Sequence, residues 1–342
     1  MRISLIATVL LAATSAWAQA ADPIVIRFSH VVAESTPKGY GATLLKKRVE
    51  EKLGGRVRVQ VYPRAQKFND DEALVALTLG DIELAAPSFS KFRAFTEKLQ
   101  VFDLPFVFAD VDAVQRFQQS SAGHDLLDAM LDKGIKGLAF WDNGMRVMSA
   151  NRPLRLPADA EGLRFRIEPS PVMEAQYQAL GVATVPLPFK DVAEALKSGL
   201  VDGQENAWSN IYSQGFHDYQ EHFTEVDHSF LGYMLVTTNQ FWDTLPADIR
   251  TELQSIIGEV TEEVNKIARY QVDSDRQKVI DSREAKLVEL SEPERSAWRD
   301  AMQPVREQFA ASIGEELLAA VAQANGAEKS EMATMQPAAK PE

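Results

Sequence analysis

IVIRFSHVVAESTPKGYGATLLKKRVEEKLGGRVRVQVY, residues Ile24 to Tyr62, holds three secondary-structure elements in a row. Ile24 to His30 is apolar at alternate positions, which is the pattern of a strand with one buried face. A helix follows from about Gly39 to Leu53, with Tyr40, Leu44, Val49 and Leu53 towards one side, and Gly54 and Gly55 stop it. Val57, Val59 and Val61 then alternate with Arg56, Arg58 and Gln60 as a second strand. Just beyond, Asp70 or Asp71 caps a helix carrying Leu74, Val75 and Leu77, Gly80 ends it, and Ile82 to Ala86 is a third short strand. The order βαβαβ predicts an α/β fold with a largely parallel sheet layered by helices.

A second run of the same kind follows. Gly137–Trp141, Arg146–Ala150 and Leu163–Ile167 read as strands, with a hairpin-like turn at "WDNG" before Arg146. Ser170 and Pro171 start a helix as N-cap and first-turn proline. Val182 to Leu187 is extended, a helix from about Lys190 ends at Ser198 and Gly199, and Asp202–Gly203 turns the chain. Two α/β units suit 342 residues, at about 150 residues per domain. Past Pro246, Ile249, Leu253, Ile256, Val260, Val264 and Ile267 step by three or four, predicting one amphipathic helix to about Val279. At 1.5 Å per residue it is about 50 Å long, enough to lie across both units. Ser291 and Glu294 have capping-box spacing for a last helix with Trp298 and Met302, and the tail after Gly326 is expected to be disordered.

Composition narrows the function. Hydrophobic residues at 45% and charged residues at 25% describe a folded globular protein. The 36 Lys+Arg against 49 Asp+Glu leave a net charge of −13, the wrong sign for collecting nucleic acid or anionic lipid. With no cysteine there is no thiol nucleophile, thiolate metal site or disulfide. His217, His222 and His228 are five and six residues apart, on different faces of a helix, so no metal site is expected. HExxH, GxSxG, a Walker loop and a complete GxGxxG are all missing, and no catalytic residue or cofactor is expected. Arg2, the apolar run Ile3–Ala13 and the Ala16-Trp17-Ala18 triplet read as a secretory signal over residues 1–20, cleaved after Ala18 or Ala20. No later run approaches the roughly 20 apolar residues of a spanning helix, so an exported protein with no membrane insertion is expected.

An anionic ligand needs fixed donors, and the planar fork of arginine can hold a carboxylate through two parallel hydrogen bonds. In "GLRFRIEPS" Arg164 and Arg166 alternate with Phe165 and Ile167, so an arginine emerges at the end of a strand, where ligands of open α/β sheets gather. From spacing alone a solvated basic strand face is the simpler reading. Arg146 by itself reads as a surface cation, Asn206 as a turn asparagine or an amide donor and acceptor, and Trp208, Tyr212 and the phenylalanines of "VFDLPFVF" (Val101–Phe108) as core.

At "RFSHVVAESTPKGYGA", "VQVYPRAQ", "VFDLPFVF", "WDNGMRVMSANRPL", "DAEGLRFRIEPSPV" and "DGQENAWSNIY" the sequence resembles the DctP-type solute-binding proteins of TRAP transporters, in particular the branch that binds four-carbon dicarboxylates. The likeness runs from about Ile24 to Ala324. It implies a periplasmic binding protein fold with two lobes, hinge strands and a long helix spanning both. Its divisions are the signal 1–20, lobe I at 22–143 plus 232–271, lobe II at 144–231 plus 272–325, and the tail 326–342. By this resemblance Arg166 forms the main salt bridge with a ligand carboxylate, Arg146 adds a second cationic contact and Asn206 helps hold the first carboxylate. His30, Ser88 and Lys91 contribute from the other lobe, and Phe189 packs on the ligand. The implied partners are a dicarboxylate such as succinate, malate or fumarate, and the membrane subunits of the transporter.

Two departures stand out. Ala207 occupies the place of the proline in the branch's "ENPWSN", implying a less rigid loop. Lys190 and Ala193 stand where relatives more often carry a serine and a tyrosine, which alters the pocket around Phe189. A sialic, keto or aromatic acid is the alternative ligand, and a periplasmic enzyme acting on a small acid the alternative class.

Overall fold

A computed structural model describes residues 22–282 and 285–334, so the expected signal at 1–20 lies outside the described residues. The opening reads β1 (Ile24–Ser29), α1 (Pro37–Lys52), β2 (Val57–Tyr62), α2 (Asp70–Leu79) and β3 (Leu84–Ala85), the expected βαβαβ. Asn69 rather than Asp70 or Asp71 caps α2. Its side chain takes the Glu72 N–H while the Glu72 carboxylate takes its own, and Gly80 at φ 80° closes the helix. Helices α3 (Val111–Gln119) and α4 (Ser121–Leu127) lead to β4 (Ile135–Met145). β1 pairs in parallel with β2 and β3, and the five-stranded sheet runs β2-β1-β3-β10-β4, closed by the antiparallel β10 (Phe230–Thr238).

The second sheet holds β5 (Val147–Ala150), β6 (Arg164–Ile167), β7 (Ala183–Pro186), β8 (Gly203–Asn206), β9 (His222–Thr224) and β11 (Lys286–Val288) in the order β11-β9-β5-β8-β6-β7. Its helices are α5 (Pro171–Ala179), α6 (Val192–Lys197) and α7 (Trp208–Ser213). Ser170 caps α5 ahead of Pro171, as its sequence position suggests. The "WDNG" segment is no hairpin turn. β4 continues through it with a register shift at Asn143, and the chain crosses to the second sheet at Arg146. Gly144 adopts φ 154°, and a Cβ there would stand 3.2 Å from Val272 Cγ2. Its bareness lets the crossing point press against the long helix.

That helix, α9 (Ala247–Asp281), follows the short α8 (Asn239–Thr244) and packs on α1 and β4 of one lobe and on α7 of the other. Its buried stripe Ile249, Leu253, Ile256, Val260, Val264 is the one the periodicity marks. The chain leaves the first sheet after Met145 and re-enters it at Phe230, so these passages and α9 connect the lobes.

The C-terminus departs from expectation twice. α10 (Glu292–Ile313) packs on α5 of the second lobe, but α11 (Glu315–Thr334) returns to α3 of the first, where Asn325 takes the Ala109 N–H and donates to Val107 O. The residues from Glu315 to Asn325 therefore sit on lobe I and not on lobe II. Gly326 does not end the order, because α11 continues to Thr334 through residues of adequate helix propensity; 335–342 lie outside the described residues.

Candidate functional site

The crease between the lobes collects the carboxyl ends of β1, β3 and β6 together with the crossing strands. Arg166, on β6, is 1% exposed. Its Nε and Nη2 both donate to the Leu187 carbonyl, at 3.1 and 2.7 Å, and Nη1 has no partner among the described residues. A guanidinium has five N–H bonds, so its Nη1/Nη2 edge remains free for a planar acceptor. Burial lowers its pKa, with Glu168 and Glu205 pulling the other way.

Lys38, in the first turn of α1, is fully buried and was not marked by the sequence reading. Its Nζ donates to Ala86 O at 2.9 Å and lies 3.7 Å from the centre of the Tyr233 ring. Burial lowers its pKa against the pull of Asp70 and Glu168. A signal existed: a cation in the first turn opposes the helix dipole, and no acidic residue accompanies it there. Tyr233, also unmarked, accepts from Asn143 Nδ2 at 2.9 Å and Asn210 Nδ2 at 3.2 Å. Both lone pairs are thus engaged, and its O–H must donate elsewhere.

Asn206 Oδ1 accepts from Asn210 Nδ2 at 2.7 Å and from the Ala207 N–H at 3.2 Å. The second bond is one that a proline could not make, so Ala207 ties down the asparagine rather than loosening the loop. His30 is 1% exposed, and neither ring nitrogen makes a well-aligned hydrogen bond among the described residues, with the Val32 backbone nearby. Burial, then Lys38, pushes its pKa down to about 3. Phe189 stands edge-on to Phe216 at 6.0 Å and shares an apolar cluster with Val31 and Val32 of the other lobe. Lys190 is exposed and Ala193 half-buried beside it.

Three expected contacts are engaged elsewhere. Arg146 is not a free cation. Its Nη1 bonds both carboxylate oxygens of Glu205 at 2.9 and 2.7 Å, and its Nη2 reaches Glu168 at 3.0 Å and Asp103 at 3.5 Å. Lys91 Nζ pairs with Asp71 at 2.7 Å, and the Ser88 hydroxyl donates to Glu168 at 2.9 Å. Glu168 also takes Ser90 Oγ at 3.3 Å, and Ser170 bonds Asp103 at 3.0 Å, so side chains of the two lobes meet across the crease. Burial works against the Glu168 charge, but Arg146, Arg166 and Lys91 hold its pKa at about 2. Burial raises Glu205 to about 7 and Asp103 to about 6 against the pull of Arg146. A wide surface groove between α3 and α9, lined by Gln115, Arg269 and Tyr270, contains none of these groups, so concavity alone does not find the site.

Behind Arg146, His228 is wholly buried with both ring nitrogens unpartnered among the described residues, and burial followed by Arg146 pushes its pKa down to about 3. Above its unfolded value of 6.5 it is neutral in both states. As pH falls towards 3 only the unfolded chain takes the proton, so stability falls with it. Asp103 and Glu205, raised, act in the opposite sense over part of that range. His228→Gln should therefore lose less stability than wild type between pH 7 and 4.5, measured as the shift in urea midpoint; an equal shift would put the acid sensitivity elsewhere.

Two α/β lobes joined by strands and a long helix, with buried donors converging in the crease, define a solute-binding protein. Comparison with known proteins agrees. The family model described as "Bacterial extracellular solute-binding protein, family 7" (DctP) matches residues 28–312. The C4-dicarboxylate-binding periplasmic protein DctP of Shewanella loihica is 46% identical over 325 residues, 95% of this chain and 96% of the relative. A TRAP periplasmic solute-binding protein from Shewanella oneidensis, solved with bound succinate, is 47% identical with a TM-score of 0.87, covering 89% of this chain and 99% of that one. Another, from Pseudomonas aeruginosa PAO1 with bound L-malate, is 45% identical with a TM-score of 0.82, covering 84% and 100%. The chain belongs to the DctP family, a periplasmic solute-binding family and not an enzyme family. No described helix is long and apolar enough to cross a membrane.

Proposed function

We propose that this protein captures a four-carbon dicarboxylate in the interlobe crease and delivers it to the membrane subunits of a TRAP transporter. One observation carries the reading: Arg166 and Lys38 are buried cations that touch backbone carbonyls but, among the described residues, no carboxylate. A buried charge is expensive unless paired, and two unpaired cations are neutralised by one dianion. Arg166 would clamp one carboxylate with its free edge, assisted by the amide of Asn206. Lys38 and the Tyr233 hydroxyl would take the second, and Phe189 would close over the carbon chain. The names and bound ligands of the relatives support the same class of acid. Closure follows ligand to the extent that the dianion binds the closed form better than the open one.

Titration calorimetry tests the charge count. Succinate should bind at least about 100-fold tighter than butyrate, which has the same length and leaves one cation unpaired. Lys38→Met should erase most of that difference. Equal binding of succinate and butyrate by the wild type would rule the two-cation site out.

A further inference from the structure

The imidazole of His30 carries a demand that a plain dicarboxylate cannot meet. The ring is 1% exposed, and neither Nδ1 nor Nε2 makes a well-aligned hydrogen bond among the described residues, although the Val32 backbone lies close enough to favour the ring's proton and so leaves the lone pair as the group without any donor. It stands immediately beyond β1, at the carboxyl edge of the parallel strands β2-β1-β3, edge-on to Phe28 at 5.9 Å. Its neighbours Val31 and Val32 share an apolar cluster with Phe189 of the opposite lobe, which puts the segment at the crease. Buried near the Lys38 ammonium, the ring is uncharged and so has one N–H and one lone pair. Unpartnered buried polar groups in a native fold call for an explanation, and here the pair of them is one donor and one acceptor.

A carboxylate can only accept, so it can satisfy the N–H and never the lone pair. A hydroxyl on the carbon chain can do what the carboxylate cannot, because it donates. We infer that His30 is a specificity-determining residue that reads a hydroxyl on the bound acid, so that the preferred ligand is a hydroxydicarboxylate of the malate type rather than succinate. This rests on the dicarboxylate reading and sharpens it. Arg166 and Lys38 count carboxylates, while His30 distinguishes among acids that have two. An unmet buried acceptor corresponds to a discrimination of about ten- to a hundred-fold.

Calorimetric titration of the full protein with L-malate and with succinate is the test, run on wild type, His30→Phe and His30→Gln. The wild type should bind L-malate about 10- to 100-fold tighter. In His30→Phe, which keeps a ring but no polar atom, the malate-to-succinate ratio should fall to within about threefold of unity, whatever happens to the absolute affinities. His30→Gln, with a donor and an acceptor, should recover part of the ratio, and His30→Met replaces the Phe variant if that does not fold. A wild type that binds L-malate no tighter than succinate, or a His30→Phe protein that keeps the wild-type ratio, overturns the assignment of His30 and leaves the dicarboxylate reading standing. A wild type that binds neither acid overturns that reading itself.

Discussion

Arg166→Ala is expected to bind succinate roughly two to four powers of ten more weakly than the wild type, since breaking one buried charge pair costs about 3–5 kcal/mol. The size of the effect follows from how the side chain is held. Two donors, Nε and Nη2, are fixed on the Leu187 carbonyl, so the guanidinium plane is set before any ligand arrives and little further ordering is needed on binding. Arg166→Lys should not recover the loss. One ammonium cannot both hold Leu187 and present two parallel N–H bonds to a carboxylate. The ligand-free variant should melt close to the wild type, because the arginine it removes is buried with no acid in direct contact among the described residues, Glu168 and Glu205 acting on it only from a distance, and it contributes cost as well as packing. Calorimetry on Arg166→Ala and Arg166→Lys, with melting curves of the apo proteins, checks both statements. Wild-type affinity in Arg166→Ala would remove this residue from the site.

Most of the architecture could be read from the sequence because local signals and tertiary packing agree. The alternation of Val57, Val59 and Val61, the Gly80 stop and the Ser170–Pro171 start each describe a segment by itself, and each segment folds that way. "WDNG" misled because turn chemistry is local, whereas β4 is held in the sheet by its long antiparallel pairing with β10, which takes up Asn143 as an extra residue instead of turning the chain. Likewise the return of α11 to the first lobe depends on the contacts of Asn325 with Ala109 and Val107, some 216 and 218 residues away, which no periodicity encodes. In the site the limit was different. Residue type identifies a cation but not its partner. Arg146, Lys91, Lys38 and Arg166 look alike in sequence, and the fold assigns acids to the first two and backbone carbonyls to the last two. Tyr233 was hidden for a related reason: in the run Phe230–Val236 of β10, between Leu231 and Met234, a tyrosine reads as core until its two asparagine partners are located.

Arg146→Met should destabilise the protein by about 3–5 kcal/mol, because it leaves Glu205, Glu168 and Asp103 buried around a neutral side chain. For a chain of this size that corresponds to a fall in melting temperature on the order of 10 °C. The burden would fall first on the crossing between the sheets. Arg146 is the single residue between β4 and β5, and Glu205 stands opposite Met148 in the β5–β8 pairing, so the contact of Nη1 with both Glu205 oxygens fixes the second sheet to the point where the chain leaves the first. Glu168 and Asp103 extend the same contact to both walls of the crease through Ser88, Ser90 and Ser170. If the cost is that of an uncompensated carboxylate, removing the carboxylate as well should relieve it. The double variant Arg146→Met/Glu205→Leu should regain more than half of the lost melting temperature, as apolar replacements of buried ion pairs commonly do. Succinate binding by the folded Arg146→Met protein should stay within about tenfold of wild type. The opposite pattern, an unchanged melting temperature with binding abolished, would show that Arg146 spends its charge on the ligand and not on the three acids that surround it.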